Sequence, residues 1–335
     1  MKNKILSNLA IFLISSLLSI GIGEYLSRNF GLSKTWESYI ASKKLSQGIT
    51  KIKKGYIRTP NGSFVGPRNV SMIINSEGFR DKPFKKKGKK KRFAFIGDSV
   101  SEGFGVEVEN RYSDRLASLY NNEIETLNFG IAGYTTIDEL EVLKTKIIPL
   151  QPDVVILQVC FNDFADNLKQ LSPKKEQFQS EVPETNINTF FQKYSALYLS
   201  IAERYNYLKL INGRATDLVP TQQSISEMEW QVFEKNIQAM ASICRTNKIT
   251  FILTYIPLEV ETLLKDENIS LIINNKIEML SYSKGIPFIN IIENFKKEED
   301  LLSLYLDDCH LSKSGNLLVA ELMKEYLNRT LYNKK

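Results

Sequence analysis

A serine hydroxyl is a poor nucleophile until a base accepts its proton, and near neutral pH that base is most often an imidazole. This chain has a single histidine, His310, so any mechanism that needs an imidazole has one candidate. Asp307 precedes it by three positions and can reach the ring within one turn of chain, whereas the spacing of Asp308 directs it elsewhere. Ser99 closes the turn Gly97-Asp98-Ser99, and two further polar clusters are Gly130-Ile131-Ala132-Gly133 and Asn162-Asp163. Each cluster alone has a plainer reading: a Gly-Asp-Ser loop, an Asn-Asp helix cap, a structural histidine. Cys160, Cys244 and Cys309 are widely spaced and include no C-x-x-C pair, so neither a zinc site nor a disulfide framework is indicated. No metal and no cofactor is expected.

The flanking pattern decides where these clusters sit. Short apolar runs predict strands over 93–96, 125–129, 154–159, 249–255 and 287–291. The run at 154–159 is continuously apolar and β-branched, as in a strand buried on both faces. Helices are predicted between them over 111–120, 136–148, 226–246, 270–283 and 314–326; in the second, Ile137, Leu140, Leu143 and Ile147 share one face. Alternating strands and helices imply a parallel sheet with helices on both sides. Ligands of such sheets bind beyond the carboxyl ends of the strands, where the four polar clusters are expected to fall. Asp307 and His310 stand just before the last helix.

Taken together, the clusters resemble the blocks of the SGNH/GDSL hydrolase family. Gly97-Asp98-Ser99 with Glu102-Gly103 and Gly105 looks like its first block, and Asn128-Phe129-Gly130-Ile131-Ala132-Gly133 like its second. Phe161-Asn162-Asp163 is similar to the third and Asp307-x-x-His310 to the last, so the resemblance runs over about 92–327. It implies a flavodoxin-like three-layer α/β/α sandwich on a parallel five-stranded sheet. It also implies that Ser99 attacks an acyl carbon, His310 takes the proton and Asp307 fixes the ring. The oxyanion hole would be the backbone N–H groups of Ser99 and Gly133 and the side-chain amide of Asn162. Gly97 and Asp98 read as shaping the turn, and Tyr134 and Phe104 as pocket lining or core. The activity implied is a serine esterase removing O-acyl groups, O-acetyl foremost, from a glycan or lipid. O-acyl transfer to an envelope polysaccharide by the same residues is the alternative. A non-catalytic, membrane-anchored glycan-binding protein is a third reading, against which the intact Ser, Gly, Asn, Asp and His stand. A nucleotide-binding protein is disfavoured, because neither G-x-x-x-x-G-K-[ST] nor G-x-G-x-x-G follows the first strand.

The amino end predicts location. Lys2 and Lys4 precede an uncharged apolar stretch at 5–23 that ends before Glu24. About 19 helical residues span roughly 30 Å, the thickness of a bilayer core. Residues 1–24 therefore read as a signal anchor facing the main domain outward, with cleavage after Gly21-Ile22-Gly23 and a secreted form as the alternative. Residues 25–57 read as a helical connector, 58–91 as a small β appendage and basic linker, and 92–335 as the hydrolase domain with a polar, aromatic cap at about 166–224. The 335 residues are 43% hydrophobic with formal charge +6, and the run from Lys85 to Arg92 alone exceeds that excess. A broad nucleic-acid-binding face is therefore not expected. The run reads as a solvated approach to a strand, with an anionic surface as its alternative partner. Asn75 to Arg80 stands just before the domain with a role in packing or in substrate access.

Overall fold

The computed structural model describes residues 2–30, 32–34, 36, 40, 48–52, 55–164, 167, 191, 194–211, 225–264 and 271–332. Its amino end is one helix, α1 (Lys2–Asn29). Within it, Ser7–Asn29 is long and apolar enough to cross a membrane, with a mean hydropathy of 1.9 and no part of the most apolar window buried by protein.

Two hairpins precede the main sheet. Strands β1 (Ile49–Lys51) and β2 (Tyr56–Arg58) pair antiparallel, as do β3 (Ser63–Val65) and β4 (Ser71–Ile73). In the stretch 25–57, expected to be a helical connector, Lys34, Trp36 and Ile40 are helical beyond the end of α1, and the far end is a hairpin. The reason is local: Ile49, Thr50 and Ile52 are β-branched residues bracketed by Gly48 and by Gly55, whose φ is +84°.

The main sheet has five parallel strands, β5 (Lys91–Ile96), β6 (Ile124–Asn128), β7 (Val154–Val159), β8 (Thr250–Tyr255) and β9 (Phe288–Ile289), in the spatial order β6-β5-β7-β8-β9. This is the flavodoxin-like order 2-1-3-4-5, with the crevice at the point where the winding reverses. Between the strands run α2 (Ser99–Glu102), α3 (Tyr112–Leu119), α4 (Thr136–Val142), α5 (Ala196–Ile211), α6 (Glu227–Thr246), α7 (Glu259–Leu263), α8 (Ile272–Ser283) and, after β9, α9 (Ile292–Phe295) and α10 (Lys313–Leu327).

Alternation along the strands divides the core. Ala94 and Ile96 of β5 pack with Val155 and Leu157 of β7 against Phe233, Ile237 and Met240 of α6 and Ile277 of α8. Phe93 and Phe95 point the other way, onto Leu116 of α3 and Val319 and Met323 of α10. The result is three layers, with the sheet buried on both faces. The helix expected over 136–148 keeps regular α geometry only to Val142 and then winds wider through Ile147. Pro149 explains this, since its ring clashes with the carbonyl four residues earlier. Of the expected cap at 166–224, Asn167, Phe191, Tyr194, Ser195 and α5 are described, and the remainder lies outside the described residues.

The basic run is not uniformly solvated. Lys87 pairs with Asp153 at 2.6 Å, while the Arg92 side chain is fully buried, donating to Glu125 at 2.7 Å and to the Leu150 carbonyl at 2.6 Å.

Candidate active site

Parallel strands send their carboxyl ends to one edge, and the turns after β5, β6 and β7 carry Ser99, Gly133 and Asn162 there. Ser99 opens α2, whose cap is Asp98: its buried carboxylate accepts the Val100 N–H at 3.0 Å. In the next turn Gly130 is obligatory, because a Cβ there would run into the backbone of Ser101 and Glu102. Gly133 has φ +81°, the left-handed region open to glycine.

His310 arrives from the far end of the chain. Tyr305 and Leu311 bridge, and the Leu306 N–H donates to the His310 carbonyl at 2.7 Å, so Asp307 to Cys309 form the tip of a closed turn. The Ser312 hydroxyl then caps α10 by accepting from Ser314 and Gly315. This turn places His310 Nε2 2.8 Å from Ser99 Oγ, although the two residues are 211 positions apart. On its other side Nδ1 lies 2.8 Å from Asp307 Oδ2 and 2.9 Å from Oδ1. A carboxylate only accepts, so Nδ1 carries the proton and Nε2 is left to accept from the serine hydroxyl. Asp307 Oδ1 also accepts from the backbone N–H groups of Cys309 and His310, at 3.1 and 2.8 Å, which fixes the carboxylate against rotation. Asp308 is not at the ring; its carbonyl accepts from the Glu259 N–H.

Phe104 has a definite position that sequence left open. Its ring stacks on the imidazole with centroids 3.6 Å apart and planes 10° from parallel. Two flat rings in contact restrict rotation of the His310 side chain about χ2. Burial works against an imidazolium here, yet the adjacent Asp307 carboxylate outweighs it and holds the His310 pKa above the usual histidine range.

Asn162 is held by the neighbouring turn. Its Nδ2 donates to the Tyr134 carbonyl at 3.1 Å, next to Gly133. An amide nitrogen has two N–H bonds, so bracing the side chain in this way uses one and leaves a second. Tyr134 itself is buried and donates its hydroxyl to the Tyr56 carbonyl. Among the described residues one group, Asp307, Cys309 and His310, brings three metal-capable atoms within 4.8 Å of one another. The ring nitrogens and the carboxylate of that group already bond to each other and to Ser99, so an ion there would displace those bonds.

A family model for GDSL-like lipases and acylhydrolases matches residues 95–318, about two thirds of the sequence and the whole stretch from Ser99 to His310. The chain belongs to that family. Several solved structures are similar to it at low identity. The lipase/acylhydrolase from Enterococcus faecalis is 15% identical with a TM-score of 0.46, covering 73% of this chain and 99% of its own. An acetyl xylan esterase is 19% identical with a TM-score of 0.45, covering 70% and 99%. A member of the lipolytic G-D-S-L family from Veillonella parvula is 12% identical with a TM-score of 0.44, covering 71% and 98%. No curated protein matches the chain.

In this GDSL protein the appendage braces the turns of the site; packing was one of the two roles expected of Asn75 to Arg80, and the part played by Arg58 and Arg68 was not foreseen. Glu102 is buried, and Arg58 of β2 clamps its carboxylate with two bonds of 2.6 Å. The same carboxylate accepts from the Ala132 N–H at 2.9 Å, tying the Gly130–Gly133 turn to α2. Arg80 donates to the carbonyls of Gly103 and Val106, at 2.7 and 2.9 Å, and Arg68 donates to Leu306, beside Asp307. Asn75 Oδ1 accepts from the N–H groups of Glu77 and Phe79 and shapes the turn that presents Arg80. The signal in sequence was the arginines at 58, 68 and 80 in a small β segment, too short to bury Arg58 and Arg80 unaided; Arg68 stays exposed.

Removing Arg58 leaves a carboxylate buried without its partner. Arg58→Ala is expected to cost about 3–5 kcal/mol of stability, read by urea or thermal unfolding. Arg58→Lys is expected to recover only part, because an ammonium cannot form the two-pronged bond. A loss below about 1 kcal/mol in Arg58→Ala would show that Glu102 is not held this way.

Proposed function

We propose that this protein is a serine esterase in which Ser99 attacks the acyl carbon and His310 accepts its proton. The observation that carries the proposal is the 2.8 Å contact between His310 Nε2 and Ser99 Oγ, backed by Asp307 on the opposite ring nitrogen. Attack forms the Ser99–acyl bond as the hydroxyl proton passes to Nε2. The tetrahedral oxyanion is received by the N–H groups of Ser99 and Gly133 and the free N–H of Asn162. Collapse breaks the ester bond, and the His310 proton leaves with the alcohol. Water then repeats the cycle on the acyl-enzyme and regenerates Ser99.

The substrates proposed are O-acyl esters, O-acetyl first, on a glycan or lipid. Residues 5–23 of α1 are proposed to anchor the protein in a membrane, with the catalytic domain on the outer side. The length and hydropathy of Ser7–Asn29 support the anchor, and Lys2 and Lys4 before it support the orientation.

Hydrolysis of p-nitrophenyl acetate tests the base. Only neutral imidazole accepts a proton, so kcat/KM rises with pH as His310 deprotonates. Because Asp307 raises that pKa, the inflection is expected above about 6.5, the free-histidine value. A profile flat from pH 5 to 8 would remove His310 from the mechanism. Asn162→Ala is expected to lower kcat by about 10²–10³ with little change in KM, since the donor acts on charge that develops in the transition state. Normal kcat in that variant would dismiss the amide from the oxyanion hole.

A further inference from the structure

Helix α5 is apolar on two opposite sides. On one, Ala196 and Leu199 are buried with Trp36, and Glu203 accepts from the Ser33 hydroxyl and the Lys34 N–H, at 2.7 and 3.1 Å. On the other, Ile201, Tyr205 and Leu208 recur at helical spacing and are 61%, 62% and 54% exposed. By the helical angle, Arg204 and Lys209 flank this stripe on either side. Glu203 is the one acidic residue of α5, and it is turned inward. An exposed apolar stripe between two cations, on a helix whose opposite side packs on protein, suits a membrane interface, where the apolar side chains meet acyl chains and the cations meet headgroups.

What the stripe faces follows from where α5 begins. Glu24 is the first charge after the apolar stretch of α1, and its carboxylate caps α5 from outside. It accepts from the N–H groups of Ala196 and Leu197, both at 3.0 Å, and from the Ser195 hydroxyl at 2.8 Å. Arg28 pairs with Glu24 at 2.6 Å and donates to the Tyr194 carbonyl. The helices touch closely here, since a Cβ on Gly23 would lie 3.0 Å from Leu197. The start of α5 is therefore fixed at the level where the apolar stretch ends. Tyr25, Phe30 and Tyr194 are exposed around the same junction, as aromatic side chains are at the boundary between lipid and water.

We propose that α5 lies in the headgroup layer of the membrane that holds α1, with Ile201, Tyr205 and Leu208 against the acyl chains and Arg204 and Lys209 on anionic headgroups. The inference rests on the reading of α1 as a membrane anchor. It gives the catalytic domain a second, lateral contact with the bilayer and restricts its tumbling on the anchor.

Nitroxide labelling of the full chain in vesicles of phosphatidylcholine and phosphatidylglycerol tests it. Labels go on Tyr205→Cys, on Leu13→Cys in α1 and on Tyr282→Cys, exposed on α8, with the half-buried Cys309 replaced by serine. The Tyr205→Cys label is expected to be relaxed several-fold more by oxygen than by an aqueous nickel complex, and the Tyr282→Cys label the reverse. A Tyr205→Cys label that behaves like Tyr282→Cys overturns the proposal. So does one shielded from both relaxants, which would mean that protein, such as a second copy, covers the stripe. The Leu13→Cys label separates the two readings: lipid-exposed there but aqueous at 205 leaves the anchor standing and the α5 placement wrong, whereas aqueous at both sites overturns the anchor as well.

Discussion

Ser99→Ala is expected to abolish labelling by a fluorophosphonate probe and to lower kcat for ester hydrolysis by about 10⁴–10⁶, with unchanged unfolding temperature. The size follows from cooperation: when nucleophile and base act as one unit, losing either costs nearly all that the unit supplies. The residual activity over water comes from oxyanion donors and substrate binding. Stability is expected to hold because Ser99 is half-buried and gives up a hydroxyl, while its backbone bonds to Gly103 and Phe104 remain. The double variant Ser99→Ala/His310→Ala is therefore expected to be no slower than either single one. Additive losses, measured as a double-mutant cycle in kcat/KM, would show two residues working independently and would refute the shared site.

Asp307→Asn is expected to lower kcat by about 10⁴ while leaving the fold in place. Its mechanism is a tautomer error. The Oδ1 of Asp307 accepts two backbone N–H groups, which an asparagine carbonyl can also satisfy. That leaves the asparagine NH₂ facing His310 Nδ1, where it donates. The ring proton then moves to Nε2, and Nε2 can no longer accept from Ser99. Loss of the carboxylate also removes the charge that raises the His310 pKa, so any remaining activity should titrate at lower pH than the native protein's. Measured kcat and its pH dependence check both parts. An inflection unmoved by the substitution would show that Asp307 does not tune the imidazole.

The brace around the site has a consequence for engineering. Arg58 and Arg68 of the two hairpins and Arg80 of the turn after them reach to Glu102, Leu306 and the Gly103–Val106 turn. Trimming the chain to its parallel-sheet domain would expose Glu102 and loosen the turns beside Ser99 and Asp307. A shortened form that begins at β5 would keep every block of the family and lose the arginines that steady them.

The order of local elements was written in the sequence. Runs such as 154–159 bury on both faces whatever surrounds them, and the polar clusters at strand ends follow from strand direction and alternation. The single histidine likewise identified itself by elimination. Local pattern could not say that a hairpin begins at Ile49, because short β-branched runs compete closely with helix when nothing long-range is known. Nor could it choose between pocket and core for Phe104, which became a platform for His310 only when two segments met. The burial of Arg58 and Arg80 was not legible in local pattern either. Only the folded chain supplied the buried carboxylate and carbonyls that let these two leave water, because a guanidinium is buried where fixed acceptors replace the water it gives up.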